Sequence, residues 1–179
     1  MNPLFLIGMP GSGKTTLGRA LAKRLGLHFY DLDSYIESRF HTNVPEMFVT
    51  VGEAEFRRRE SAMLREVGEM EDVVVACGGG TPCHSGNLEY MNNRGISVCL
   101  EATEPVLLNR ILRAKSRRPM FAGYSDPEEM LAKIRALRKE RSATYGQATF
   151  SFPSDELENR KMIDHSVDRF INEILTPKP

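Results

Sequence analysis

Gly8-Met9-Pro10-Gly11-Ser12-Gly13-Lys14-Thr15 is the segment whose chemistry is easiest to read. It satisfies G-x-x-x-x-G-K-[ST] at every fixed position, the pattern of a loop that cradles the phosphates of a nucleoside triphosphate. Glycines let the backbone bend so that successive N–H groups, those of Gly11, Ser12, Gly13, Lys14, Thr15 and Thr16, aim at anionic oxygens. A helix beginning at the end of the loop adds about half a positive charge there. Lys14 is then expected at the β- and γ-phosphates, and the Thr15 hydroxyl at a Mg²⁺ ion. The motif points to the triphosphate and is silent about the phosphoryl acceptor.

Many phosphate-loop proteins take a second Mg²⁺ contact from an aspartate at the end of a later strand. The apolar run Val73-Val74-Val75-Ala76 ends instead in Cys77-Gly78-Gly79-Gly80, without a carboxylate. The strand-end acids are Asp31 and Asp33, and in an extended Asp31-Leu32-Asp33 both would project to one side. Asp31 is assigned to the metal, through a bound water, and Asp33 to the acceptor hydroxyl. The alternative for either is to cap the helix that starts near Ser34. Gly78, Gly79 and Gly80 suggest close approach of backbone to a small ligand, the alternative being a plain turn.

Three groups of arginines follow. Phe56-Arg57-Arg58-Arg59-Glu60 reads as helix, so Arg57 and Glu60 can touch. A guanidinium held by a carboxylate is shaped for a ligand carboxylate. Arg58 and Arg59 read as solvated. The basic stretch from Arg110 to Pro119 leads into a loop punctuated by Pro119 and Gly123. It reads as a lid that brings Arg118 to the charge spreading in a transition state. Arg135, Arg138 and Arg141 are spaced by three, and the first two read as a solvated stripe.

These groups need a frame. Apolar runs at Leu4–Ile7, His28–Leu32, Val73–Ala76 and Ile96–Leu100 read as strands, with a weaker fifth at Lys161–Asp164. Helical patterns cover Lys14–Leu25, Glu53–Val67, Glu104–Arg113, Pro127–Tyr145 and Val167–Leu175. Strand–helix alternation predicts an α/β fold, a parallel sheet with helices on both faces. Ligands then sit at the carboxyl ends of the strands, where Gly8–Thr16, Asp31–Asp33 and Gly78–Gly80 converge.

Length and charge agree with this frame. The 179 residues suit one domain. Lys+Arg and Asp+Glu are equal at 24 each, which argues against a broad electrostatic grip on nucleic acid or on an anionic membrane. No apolar run approaches the roughly 18 residues of a membrane span, and the start reads as no signal peptide. Cys77, Cys83 and Cys99 form no CxxC, and with His84 they lack zinc-ligand spacing. A reducing cytoplasm is the expected location.

Taken in order, the chain resembles the shikimate kinases over nearly its whole length. The features that carry the resemblance are the phosphate loop, Asp31-Leu32-Asp33, Gly52-Glu53 with Phe56-Arg57 and Glu60, Gly78-Gly79-Gly80, Arg118-Pro119, and Arg141 ahead of Tyr145. The resemblance implies a three-layer α/β/α kinase with a five-stranded parallel sheet. It implies a phosphate loop over 8–16, a small substrate-binding subdomain over 33–61 and a lid over 112–125 of a single domain, 1–179. The implied reaction moves the ATP γ-phosphoryl group to the 3-hydroxyl of shikimate, in line and without a phospho-enzyme, within chorismate and aromatic amino-acid biosynthesis.

By the same resemblance Asp33, Arg57, Gly79 and Arg141 bind shikimate, with Gly78 and Gly80 beside them. Thr15 and Asp31 hold Mg²⁺, Arg118 meets ATP from the lid, and Arg110 lies against adenine. The implied catalytic set is Lys14, Asp33 and Arg118, in a monomer whose partners are ATP and shikimate. Met120-Phe121 after the lid arginine departs from the Leu-Leu common in the family, and Thr81-Pro82-Cys83-His84 follows the glycines. Two other readings stay open: a related small-molecule kinase such as a gluconate kinase, and a nucleotide-binding regulatory module without catalysis.

Overall fold

Leu4-Phe5-Leu6-Ile7 is buried on every side because β1 (Leu4–Gly8) is the middle of five strands. The spatial order is β2 (His28–Asp31), β3 (Val73–Ala76), β1, β4 (Ile96–Glu101) and β5 (Phe150–Pro153), all parallel. Parallel strands need crossover connections, which the helices supply. The computed structural model describes residues 1–114, 121, 123, 124 and 126–176.

Strand alternation divides the core in two. Leu4 and Leu6 join Val74, Val98 and Leu100 on one face, under α1 (Lys14–Leu25) and α8 (Arg160–Phe170). Phe5 and Ile7 join Val73, Val75 and Cys99 on the other. That second face is covered by α2 (Leu32–Phe40), α3 (Val44–Thr50), α4 (Gly52–Gly68), α5 (Asn87–Arg94), α6 (Glu104–Arg113) and α7 (Pro127–Tyr145). Each face is thus sealed by helices, as a sheet of uniformly apolar strands requires.

Most predicted elements fall within a residue of the observed ones, but the fifth strand does not. Lys161–Asp164 lies in α8, where the Asn159 side chain accepts from Met162 N at 3.0 Å and starts the helix. Ile163, Val167 and Phe170 then recur at helical spacing and pack toward α1. The true fifth strand, Phe150-Ser151-Phe152-Pro153, places Phe152 against Phe170 with ring centroids 5.0 Å apart. Its proline sits on an edge strand. The closing helix also begins earlier than expected, at Arg160, and a single π-type turn follows over Ile171–Leu175.

The second strand also ends one residue short of the expected Leu32. Asp31 is the cap of α2, accepting from Ser34 N at 3.4 Å, so Leu32 is already helical and Asp33 lies in the first turn. The two carboxylates are therefore displayed by a strand end and a helix turn, not by one extended face.

Candidate active site

Phosphate-loop geometry follows from glycine conformations. Gly8, Gly11 and Gly13 have φ of 139°, 84° and 91°, in a region open to glycine and costly for other residues. Gly13 caps α1 without a side-chain bond, and the first helical bond runs from Leu17 N to Gly13 O at 2.9 Å. The first-turn N–H groups of Thr15 and Thr16 therefore face the loop's interior instead of the helix. Lys14 is buried over this loop. Its ammonium donates to Gly8 O at 2.9 Å and Met9 O at 3.0 Å.

A cleft of about 280 Å³ opens in front of the loop, walled by Arg110, Leu157 and Glu158. Arg110 is held by Ser154 O at 2.9 Å, Asp155 O at 2.8 Å and the Glu158 carboxylate at 3.0 Å. It therefore braces the segment after β5 against the loop and presents its guanidinium as a wall. Leu157 and Glu158 were not marked by any sequence motif. Only their position after a sheet strand brings them here.

Thr15 Oγ1 donates to Asp31 Oδ2 at 2.8 Å, so the two groups assigned to a metal share one place. Both are hard oxygen donors, the type that Mg²⁺ selects. Asp31 serves at once as helix cap and as partner of Thr15, so the two expected roles coincide.

On the other side of the loop lie the three glycines after β3. Here the closeness of neighbouring side chains, not φ, distinguishes the glycines. A Cβ on Gly78 would stand 2.9 Å from Asp33 Oδ1, one on Gly79 2.9 Å from Arg141 Nη1, and one on Gly80 2.9 Å from Arg57 Nη2. Three side chains from α2, α7 and α4 thus close on one backbone turn. Gly79 also abuts the phosphate loop, its Cβ position lying 3.2 Å from Pro10 Cδ and 3.4 Å from Gly8 O. The two halves of the site are contiguous.

The charges around this turn are fixed from behind. Arg57 Nη1 donates to Glu60 Oε2 at 2.8 Å, and its guanidinium lies 5.7 Å and 5.4 Å from the Phe48 and Phe56 ring centres. Glu60 is buried and also accepts from Thr81 Oγ1 at 2.6 Å. Tyr145 donates to Gly79 O at 2.6 Å, and burial raises its hydroxyl pKa, which keeps it a neutral donor. Arg141 is 6 % exposed, and its Nη1 is buried without a hydrogen-bond partner among the described residues. A buried guanidinium N–H with no acceptor is costly, and a bound anion would satisfy it.

Burial disfavours the thiolate at all three cysteines. Burial pushes the Cys77 thiol well above its ordinary range and Cys99 up to about 11. Burial also raises Cys83, although Arg141 pulls it the other way. Burial and the nearby Arg57 lower the His84 pKa, which favours the neutral imidazole.

Of the expected site residues, the structure gathers the phosphate loop, Asp31, Asp33, Arg57, Gly78–Gly80, Arg110 and Arg141. Arg118 and most of the expected lid lie outside the described residues. Phe121, from that region, is fully buried in the core. Arg58 is exposed as expected, but Arg59 stacks over Phe40 at 4.7 Å and pairs with Glu55 at 2.7 Å. Arg138 likewise bonds Ala102 O instead of joining Arg135 in solvent. No helix among the described residues is long and apolar enough to cross a membrane.

Known proteins resemble this arrangement throughout its length. A family model described as shikimate kinase matches residues 10–174. A shikimate kinase of Phocaeicola vulgatus is 49% identical over 168 residues, 94% of this chain and 95% of the relative. The crystal structure of shikimate kinase from Bacteroides thetaiotaomicron is 44% identical, covers 98% of both chains and has a TM-score of 0.94. A shikimate kinase from Acinetobacter baumannii in complex with shikimate is 33% identical, with a TM-score of 0.84 over 98% of this chain and 94% of that one.

Proposed function

The chain belongs to the shikimate kinase family, and on that premise we propose that it transfers the γ-phosphoryl group of ATP to the 3-hydroxyl of shikimate, giving 3-phosphoshikimate and ADP for chorismate and aromatic amino-acid biosynthesis. The observation that carries this reading is the contiguity of the Gly78–Gly80 turn with the phosphate loop, with Asp33, Arg57 and Arg141 closing on the turn. A polyphosphate and a hydroxylated ring acid fit end to end in that arrangement.

Each residue then has a defined task. Thr15 and Asp31 would hold Mg²⁺, which supplies positive charge to the polyphosphate. The phosphate-loop N–H groups grip the phosphates, and Lys14 leaves the loop carbonyls to meet the γ-phosphoryl oxygens. Arg110 and Leu157 border the base end of the cleft. Arg57 and Arg141 take the shikimate carboxylate, which satisfies the buried Arg141 Nη1. Asp33 accepts a hydrogen bond from the reacting hydroxyl and takes its proton as the new P–O bond forms. Arg118 is assigned to the lid, stabilising the spreading charge as water is excluded. The enzyme is assigned as a cytoplasmic monomer that binds neither nucleic acid nor membrane.

Two variants separate the acceptor site from the nucleotide site. Arg57→Ala is expected to raise the KM for shikimate by about 10- to 100-fold, the scale of one lost charge-assisted contact, with little change for ATP. Equal losses for both substrates would show that Arg57 is misassigned. Gly79→Ala places a methyl group against Arg141 and Pro10. Steady-state kinetics of that variant is expected to show at least about a tenfold rise in shikimate KM, since Arg141 must move. An unchanged KM would mean that the turn does not set the arginine's place.

The function itself is tested by ADP release with shikimate, with gluconate and with no acceptor. Release is expected with shikimate and Mg²⁺ together. Release with gluconate alone selects a different small-molecule kinase, and no release with any acceptor selects a non-catalytic nucleotide-binding module.

A further inference from the structure

Building on the shikimate reading, we propose that Thr81 is a positioning residue for the shikimate carboxylate, acting through Glu60 on Arg57. Thr81 follows the glycine turn directly and is fully buried. Its hydroxyl donates to one oxygen of Glu60 at 2.6 Å, and the other oxygen accepts from Arg57 Nη1 at 2.8 Å. Glu60 is 1% exposed, so water contributes little to either bond. The two partners between them set the orientation of the carboxylate.

Thr81 is itself held. Its backbone N–H donates to Gly78 O at 3.1 Å, and its carbonyl accepts from Asn87 Nδ2 at 2.9 Å. Asn87, also fully buried, accepts from Arg65 Nη1 at 3.1 Å. The hydroxyl is thus presented from a braced turn, and not from a loop free to follow Glu60.

What this orientation controls is the balance between two carboxylates that Arg57 holds together: besides Glu60, its Nε and Nη2 donate to Glu53 Oε1 at 3.4 and 3.3 Å. Glu53 is 62% exposed, whereas the Glu60 side chain is 2% exposed. A well-oriented Glu60 keeps Arg57 inward, against Gly80 and the acceptor site. Without the Thr81 hydroxyl, one oxygen of a buried carboxylate loses its donor, Glu60 can turn, and Arg57 shifts its weight toward Glu53 and solvent. The predicted loss is therefore in shikimate binding, at a residue that need not touch shikimate.

The test is steady-state kinetics on Thr81→Val, Thr81→Ser, Glu60→Ala and the Thr81→Val/Glu60→Ala double variant, each with a thermal melt. Valine keeps the shape and removes the hydroxyl; serine keeps the hydroxyl. Thr81→Val is expected to raise shikimate KM about tenfold and leave ATP KM within about twofold. Thr81→Ser is expected to stay within about twofold of wild type for both. In the Glu60→Ala background, Thr81→Val is expected to add nothing further, because the route to Arg57 is already cut. If Glu60→Ala does not yield folded protein, Glu60→Met, which keeps the length and removes both oxygens, serves as the background. The inference is overturned if serine is as impaired as valine, if ATP KM rises equally, if the two effects multiply independently, or if Thr81→Val changes only the melting temperature. Wild-type turnover with an unchanged Thr81→Val variant would sink this inference alone; a wild type inactive toward shikimate would sink the functional reading beneath it.

Discussion

Lys14→Met is expected to lower kcat by about 10³-fold or more while leaving a folded protein. Methionine retains much of the lysine's unbranched, apolar stem, so the main loss is the ammonium group. That group is already buried over the phosphate loop, bonded to Gly8 O and Met9 O, within reach of where transferring oxygens must lie. Charge held in a water-excluded loop is worth far more than the same charge in solvent. Glycine conformations at positions 8, 11 and 13 set the turn, and the variant gives up the two bonds from the ammonium to Gly8 O and Met9 O. A melting curve near wild type with kcat at the detection limit is the expected pair of results. Near-normal turnover would contradict the assignment of this loop to the reacting phosphates.

Asp33→Asn is expected to reduce kcat by about 10²- to 10⁴-fold, the range for a positioned general base. The amide keeps the shape of the carboxylate and its place against Gly78, where Oδ1 stands 2.9 Å from the position of a Cβ. It cannot take a proton from the acceptor hydroxyl. Shikimate binding is assigned mainly to Arg57 and Arg141, so KM is expected to move by no more than about threefold. An unchanged kcat with a raised KM would contradict the base role and leave Asp33 as a binding group only.

The legible part of this protein was the part where local chemistry speaks for itself. The phosphate loop is a contiguous motif between a strand and a helix, and its glycines, lysine and threonine state their tasks through type and spacing. Arg57 with Glu60 was legible for the same reason, since three residues on a helix place two side chains in contact. The central strands were readable because β1 and β3 are apolar without interruption.

Sequence and structure part where local preferences compete. Leu32 and Asp33 continue the strand pattern in the sequence, but the Asp31 carboxylate caps α2 and ends the strand at Asp31. The Lys161–Asp164 run had a strand-like centre in Met162-Ile163, yet the Asn159 cap and the longer helical period decided for α8. Phe150–Pro153 is hard to read as a strand because a four-residue edge strand that ends in proline leaves little signal. The packing of Arg59 leaves no local mark in the sequence, because its stacking partner, Phe40, comes from another helix.

Contacts made only by tertiary packing had no sequence signature. Thr81 meets Glu60 across 21 residues and Tyr145 meets Gly79 across 66. Leu157 and Glu158 reach the cleft in front of the phosphate loop only because β5 delivers the chain there. Arg141 Nη1, without a partner among the described residues, is likewise a property of the folded interior, although its place in the motif marks the residue.

The most direct test of the whole account is a crystal structure of the protein with ADP, Mg²⁺ and shikimate bound together. The expected result has the diphosphate in the Gly8–Thr15 loop, the shikimate carboxylate shared by Arg57 and Arg141, and the 3-hydroxyl within hydrogen-bonding distance of Asp33. Shikimate bound away from the Gly78–Gly80 turn, or Asp33 and Arg57 directed away from the ring, would contradict it.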